Sequence, residues 1–363
     1  MTQNKKTAVV LMNLGGPDSR EAIAPFLFNF FMDPNIIRAP LFIRWPLAKF
    51  IAWRRSQKEA GDSYAVLGNR SPLLENTTAQ AKALDYFLNE SDSGTFKTFI
   101  TMRYWHPMAD ETAQAVKEYA PDHIVLLPLY PQFSTTTTRS SFAAWDKAAK
   151  ETGLTIPTAR LCCYPADSGF IEAAAEKIRA VYKEAQDKTG KTPRVLLSAH
   201  GLPEKIVKDG DPYQWQCGQT AEAIVKALRV PALDWQICYQ SRVGPLKWIG
   251  PSTEEALQKA ARDKVPVVIF PHAFTQEHVE TLVEIEEEYR EMAREMELHD
   301  FYRVETVGIH AAFIEGLADM VLGALHDTGT RSNENKPLCP QNFSQCCMRI
   351  RKDFDRRKSK TAA

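Results

Sequence analysis

Short runs of Val, Ile, Leu and other apolar residues recur along the chain, each closed by a turn signal and followed by residues of helical period. In the first half they fall at Ala8–Leu14, Phe96–Met102 and His123–Leu129, with a weaker run at Leu154–Arg160. In the second half they fall at Arg194–Ala199, Trp235–Tyr239, Val267–Phe270 and Tyr302–Val307. Near-continuous apolar strands alternating with helices belong to parallel sheets covered on both faces. The pattern predicts two α/β domains of similar build, each a four-stranded parallel sheet flanked by helices, without any repeat at the level of sequence. The expected division is 1–180, 181–326 and a C-terminal tail extension, 327–363.

Between the strands the helical period is readable. Asp18 is expected to cap a helix over Glu21–Met32, with Ile23, Phe26, Leu27, Phe30 and Phe31 on its apolar face. A second helix is expected over Asp167–Asp187, and a long, very acidic one over Glu277–Leu298. After His326 the chain turns polar, carries Cys339, Cys346 and Cys347, and ends in a basic stretch, Arg349–Lys360.

Composition narrows the class. The 363 residues hold 45 Lys+Arg against 45 Asp+Glu, so a net charge of zero gives no global attraction to nucleic acid. No run approaches the ~20 apolar residues of a membrane span. The basic start Met1–Lys6 is followed by an apolar run, Ala8–Met12, too short for a secretory signal, which leads us to expect a cytoplasmic protein. Seven cysteines, an odd number, fit reduced thiols or metal ligands better than a disulfide framework.

Ligands of open parallel sheets bind beyond the carboxyl ends of the strands. Those ends read Asn13-Leu-Gly-Gly-Pro17, Arg103-Tyr-Trp-His106, Tyr130-Pro-Gln-Phe133, His200-Gly-Leu-Pro203, Gln240-Ser-Arg242 and Pro271-His-Ala-Phe-Thr275. They are rich in aromatics and lack the glycine fingerprint or phosphate-binding lysine of a nucleotide site. His200, directly after its strand, is either a base or metal ligand in a cleft, or a histidine bonded to a neighbouring carbonyl. Glu280, Glu284 and Glu288, spaced i, i+4 and i+8, form one stripe on a helix. They are either a solvated acidic face or a path for cations and protons.

Two further segments stand out. Ile36–Trp53 interleaves large apolar residues with Arg38, Arg44 and Lys49, unusual for a loop. It is either packed core or a lip on an apolar pocket that rests on a membrane surface. The tail cysteines are either inert or ligands of zinc or an iron–sulfur centre that needs a fourth thiol, for which Cys162 and Cys163 are the donors at hand. Cys217 and Cys238 read as core residues.

Together these residues resemble the ferrochelatases over nearly the whole chain. The resemblance is carried by Leu11-Met-Asn-Leu-Gly-Gly-Pro17, Leu197-Ser-Ala-His-Gly-Leu-Pro203 and Tyr239-Gln-Ser-Arg-Val-Gly-Pro245 with Trp248. Ala273-Phe-Thr-x-x-His278-x-Glu280-Thr-Leu282, Met102-Arg-Tyr-x-His-Pro107, Tyr130-Pro-Gln-Phe-Ser134 and Ser71-Pro72 also match. It implies two Rossmann-like domains and insertion of Fe2+ into protoporphyrin IX to give protohaem, the last step of haem biosynthesis. His200, Glu280 and Glu284 resemble the catalytic residues, with His200 and Glu280 meeting the substrate iron. Arg103, Tyr104, Tyr130, Trp248, Ser71 and Leu14 resemble the porphyrin-binding set, Ser71 as a propionate contact. In the family the acidic helix holds a π-bulge, which would change which carboxylates line up. Some members also bind a [2Fe-2S] cluster, here implied at Cys339, Cys346, Cys347 and Cys163 or Cys162. Peripheral attachment to a membrane and a homodimer are implied as well. The rival readings are a cobalt or nickel chelatase acting on another tetrapyrrole and a non-enzymatic porphyrin or haem carrier. His272, where many relatives have an aliphatic residue, is expected to be packed.

Overall fold

The computed structural model describes residues 5–90, 93–242 and 244–349. The basic start up to Asn4, and the basic end beyond Arg349, lie outside the described residues. The described residues run through nine strands: β1 (Lys6–Asn13), β2 (Thr95–Met102), β3 (His123–Pro128), β4 (Thr158–Leu161), β5 (Arg194–His200), β6 (Trp235–Gln240), β7 (Val267–Pro271), β8 (Phe301–Arg303) and β9 (Gly329–Arg331). They form two wholly parallel sheets, ordered β2-β1-β3-β4-β9 and β6-β5-β7-β8.

All eight apolar runs become strands, and the second sheet has the expected four. The first gains a fifth, Gly329–Arg331, from the segment read as a tail. Three residues without an apolar run carry no hydropathy signal; pairing with β4, as Arg160 opposite Thr330, makes them a strand. In each sheet the first strand in the chain is flanked on both sides. β1 lies between β2 and β3, and β5 between β6 and β7, so the strand order reverses at the ends of Asn13 and His200. That is where α/β sheets open a crevice.

The described residues cluster into two compact units. One holds the chain up to Cys162 together with Ala318–Ser332; the other holds Cys163–Leu317 and the chain from Asn333 onward. The division thus falls at Cys162/Cys163, ahead of the expected residue 180, because helix Ser168–Thr189 packs on helix Tyr213–Leu228 and on β7. Asp167 caps that helix as foreseen for its start, accepting the backbone N–H of Phe170 at 3.0 Å.

Other helices depart from expectation. The first is shorter than predicted, Ile23–Phe31, and Asp18 does not cap it. Ile36–Trp53 is not a loop: Leu41–Ser56 is a helix with Pro46 inside it. Only Ala48 and Ala52 of that helix are buried, while Phe42, Phe50 and Trp53 are more than half exposed. Its apolar residues are therefore not core. The acidic segment is broken into helix Val279–Leu282, a π-helix over Glu284–Tyr289 and helix Arg290–Glu295. Glu287 and Glu288 both donate their backbone N–H to the carbonyl of Val283, at 2.9 and 3.0 Å, which marks the extra residue in the turn. Ile285 and Tyr289 stay buried against Leu196, Val267 and Phe301, so the core, not the acidic face, fixes the segment.

Candidate functional site

In the second unit the chemistry gathers at the ends of β5, β6 and β7. His200 closes β5, and the glycine after it is dictated by space. A Cβ at Gly201 would sit 2.9 Å from the carbonyl of Gln240 and 3.2 Å from the Trp248 ring, so Trp248 lies directly over the turn. His200 Nδ1 donates to the Gly201 carbonyl at 2.6 Å. Because a carbonyl only accepts, this bond leaves Nε2 as the reactive nitrogen. Nε2 faces Glu280 Oε1 at 3.4 Å. The carbonyl-bonded alternative for His200 is thus present on Nδ1, while Nε2 faces the Glu280 carboxylate. Burial pulls the imidazole's pKa down, but Glu280, the Gly201 carbonyl and Glu284 outweigh it and lift it to about 9.

The expected stripe of three carboxylates is reduced to two. In an α-helix the residue four positions on shares a face; in the π-turn it is the fifth. Glu284 consequently meets Tyr289, whose hydroxyl donates to Oε1 at 3.0 Å, and Glu288 is turned out to solvent. The Glu284 carboxylate also accepts the Ser241 N–H at 2.7 Å, the Ser241 hydroxyl at 2.5 Å and Gln240 Nε2 at 2.9 Å. Gln240 Nε2 bonds the Glu280 carbonyl as well, at 2.9 Å, tying the two acidic turns to β6. Burial and the nearby Glu280 charge raise the Glu284 pKa in spite of these donors.

Gln240, Ser241 and Tyr289 had no role in the sequence reading, although Gln240-Ser-Arg242 was sampled as a strand end. His278 was legible as part of the motif that carries Glu280, but not for what it does there. Its Nδ1 accepts the Glu280 N–H at 3.1 Å and so caps the turn that carries Glu280. Behind it Arg303 links Glu277 at 3.1 Å to Glu286 at 2.9 Å, pairing two more carboxylates of the segment with one cation. His272 is wholly buried, as expected for a packed residue, and burial takes its pKa down to about 4.

The first unit holds the expected binding residues other than Trp248. Gly15, at a φ of +88°, and Gly16 make the turn after β1. A Cβ on Gly16 would stand 2.5 Å from the Ser71 side chain, so the glycine pair lets Ser71 approach. Leu14 is held at the same place, its N–H on Asn13 Oδ1 at 2.8 Å and its carbonyl on Tyr104 N at 3.0 Å. Tyr130 stands near the start of the loop after β3, and burial pushes its hydroxyl pKa up. Tyr104, expected as an aromatic wall, is instead 0% exposed; its ring lies 4.7 Å from the Arg103 guanidinium and its hydroxyl donates to Asp33 at 2.7 Å. Asp33 was missed altogether. Its only sequence signal is the turn-like Asp33-Pro34-Asn35.

The tail folds back onto helix Tyr213–Leu228 in the second unit, where Gln216 Nε2 donates to Cys339 Sγ at 3.2 Å and Trp215 packs on Phe343. Cys339 and Cys347 hydrogen-bond Cys346, which holds the Cys346 thiol below its ordinary pKa against the effect of burial. The Cys346 bond, burial and Cys163 push Cys339 up. Cys163 acts electrostatically on the Cys339 thiol, and Cys162 belongs to the first unit and donates its N–H to the Arg331 carbonyl. Four thiols are a soft donor set suited to iron–sulfur binding. Among the described residues, however, no three His, Cys, Asp or Glu side chains are gathered as a ready ion site. Cys217 and Cys238 are core, as expected.

The family model that matches is Ferrochelatase, over residues 6–325. The ferrochelatase of Caulobacter vibrioides is 49% identical over 95% of this chain and 98% of its own. Those of Hyphomonas neptunium and Pelagibacter ubique are 48% and 42% identical, each over 94% of this chain and over 94% and 98% of their own. Among solved structures, SirB from Bacillus subtilis with Fe3+ superposes with a TM-score of 0.53 over 88% of this chain and 96% of its own, at 13% identity. That likeness is one of fold.

Proposed function

The chain belongs to the ferrochelatase family and inserts ferrous iron into a porphyrin to give protohaem, and from that premise we propose how its residues share the work. The observation that carries the proposal is the His200–Glu280 pair, with its 3.4 Å approach and the saturated Glu284 carboxylate behind it. Metallation of a porphyrin removes two pyrrole N–H protons, so the site needs an acceptor and somewhere to pass the protons on. His200 Nε2 is the acceptor. Its imidazolium, stabilised by Glu280, returns a proton toward the carboxylates before it takes the next. Glu284 holds a proton readily because burial and the Glu280 charge favour its neutral form. When it does so, the hydroxyl on the protonated oxygen, Ser241 or Tyr289, turns from donor to acceptor and the other goes on donating. Fe2+, a substrate here, meets His200 and Glu280, whose neutral nitrogen and carboxylate suit it. Arg103, Tyr130, Trp248, Ser71 and Leu14 bind the porphyrin, and Tyr104 acts from beneath Arg103. In reaction class the enzyme is a lyase.

Two finer proposals accompany this one. The helix Leu41–Ser56, with Phe42, Trp45, Phe50 and Trp53 exposed beside Arg44, Lys49, Arg54 and Arg55, rests on an anionic membrane surface. Among the described residues no helix is long and apolar enough to cross a membrane, so the attachment is peripheral, on the cytoplasmic side. Cys163, Cys339, Cys346 and Cys347 hold a [2Fe-2S] cluster, a reading supported by their thiol contacts; the cluster would supply one-electron chemistry that metal insertion does not use.

The test of the central proposal is turnover. A trace of protein is incubated without oxygen with excess Fe2+ and protoporphyrin, and haem absorbance is followed. Many equivalents of haem per chain are expected; formation that stops at one equivalent would mean a carrier. The same preparation, purified anaerobically, is expected to contain two iron and two sulfide per chain, and a preparation with neither removes the cluster.

A further inference from the structure

Asp33 lies just beyond helix Ile23–Phe31, and its side chain has no exposed surface. Oδ1 accepts the backbone N–H of Asn35 at 2.7 Å and its Nδ2 at 2.9 Å. Oδ2 accepts Arg103 Nη2 at 2.9 Å, the Tyr104 hydroxyl at 2.7 Å and the Ser140 hydroxyl. Ser140 Oγ in turn accepts Arg103 Nε at 2.6 Å. The guanidinium is therefore held along one edge by a carboxylate and a hydroxyl, with the Tyr104 ring against its face. Among the described residues Arg103 Nη1 has no bond of its own, and the side chain keeps 20% of its surface exposed. A guanidinium fixed by its Nε edge offers the opposite edge as a rigid fork for a carboxylate.

We propose that Asp33 is a positioning residue for porphyrin recognition: it sets the direction of the free Arg103 edge, which reads a carboxylate substituent of the substrate. Selectivity for acidic porphyrins then runs from Asp33 through Arg103, although Asp33 touches no substrate. The arrangement needs a charge at Asp33. Neutral asparagine would turn an N–H toward the guanidinium or lose its bonds to Asn35, and either change frees Arg103 to swing. Asp33 also organises the turn toward helix Leu41–Ser56, its carbonyl accepting the N–H groups of Ile36 and Ile37, both at 3.0 Å. A merely structural part of that kind would weaken every substrate alike.

The proposal rests on Arg103 meeting the porphyrin, and the experiment separates the two. Steady-state KM and kcat are measured for protoporphyrin IX and for its dimethyl ester, which lacks the negative charges. The proteins compared are the wild type, Asp33→Asn, Arg103→Gln and the double variant. Asp33→Asn is expected to raise KM for the acid about tenfold, the worth of one charge-assisted contact, with KM for the ester within about twofold and the effect confined to KM. The double variant is expected to be no worse than Arg103→Gln alone. Equal losses on acid and ester, or losses that multiply in the double variant, overturn the role of Asp33. An Arg103→Gln protein with undiminished preference for the acid overturns instead the meeting of Arg103 and substrate. Ser140→Ala removes the other anchor of the guanidinium at smaller risk to folding. It is expected to shift the acid-to-ester ratio the same way by about threefold, and an unchanged ratio counts against the proposal even if Asp33→Asn fails to fold.

Discussion

Asp33 in the first unit and Glu284 in the second are both buried carboxylates crowded with hydrogen-bond donors, yet they titrate in opposite directions. Asp33 receives five donors and Glu284 four. For each, burial is the largest influence and works against the charge. At Asp33 the Ser140 bond, the Arg103 cation and the bonds from Asn35 and Tyr104 outweigh burial, and the pKa falls. At Glu284 every close donor is neutral and the Glu280 charge adds to burial, so the pKa rises. Donor count does not decide; the sign of the neighbouring charge does. One carboxylate is biased toward its charged form beside an arginine, the other toward its protonated form.

The comparison can be broken most severely through His200, the group that Glu280 and Glu284 serve. His200→Ala is expected to lower kcat by roughly 10²–10⁴-fold, the usual worth of a positioned base, with porphyrin binding by fluorescence retained. Full activity in that variant would remove the base and, with it, the purpose given to Glu284. Next in size is Asp33→Ala, which leaves Arg103 without its carboxylate. It is expected to cost about 3–5 kcal/mol of stability, as removal of one partner of a buried pair does, read from denaturant unfolding. A loss below about 1 kcal/mol, the scale of an exposed pair, would make the Asp33 site no different from a surface contact.

The mildest expected effect concerns pH. His200 is raised above its ordinary value, to about 9, chiefly by Glu280 acting against burial. Since only the neutral imidazole accepts a proton, kcat/KM is expected to rise with pH, with its inflection near 9 and its plateau above that. Glu280→Gln removes the largest raising influence, so its inflection falls back toward 6.5 or below. The sign for stability is the reverse. The His200–Glu280 contribution is fully present below about pH 6.5 and is lost as pH rises through about 9, whereas the Asp33 contribution is lost in acid as pH falls through its depressed pKa. Coincident activity inflections for wild type and Glu280→Gln would sink the pairing.

Much of this was legible in the sequence because it depends on local patterns. Apolar runs at Ala8, Phe96, His123, Arg194 and Val267 mark strands that pair in parallel, and the ends of those strands bring His200 and Arg103 into view. What escaped has a common cause. Gly329–Arg331 is a strand only by virtue of Ala159–Leu161 beside it. The π-turn depends on Ile285 and Tyr289 seeking the core, and it turns Glu288 outward while bringing Tyr289 onto Glu284. Asp33 is an ordinary turn residue until Arg103 and Ser140, 70 and 107 positions away, close on it.

The sequence by itself determined the parallel α/β architecture, the family, and the residue types at the strand ends, since periodicity and motif spacing are properties of the chain. Only the tertiary structure decided which carboxylates are biased toward the protonated form and which toward the charged one. Ionisation is set by burial and by the charges within a few ångströms, and those neighbours are assembled from segments far apart in the chain.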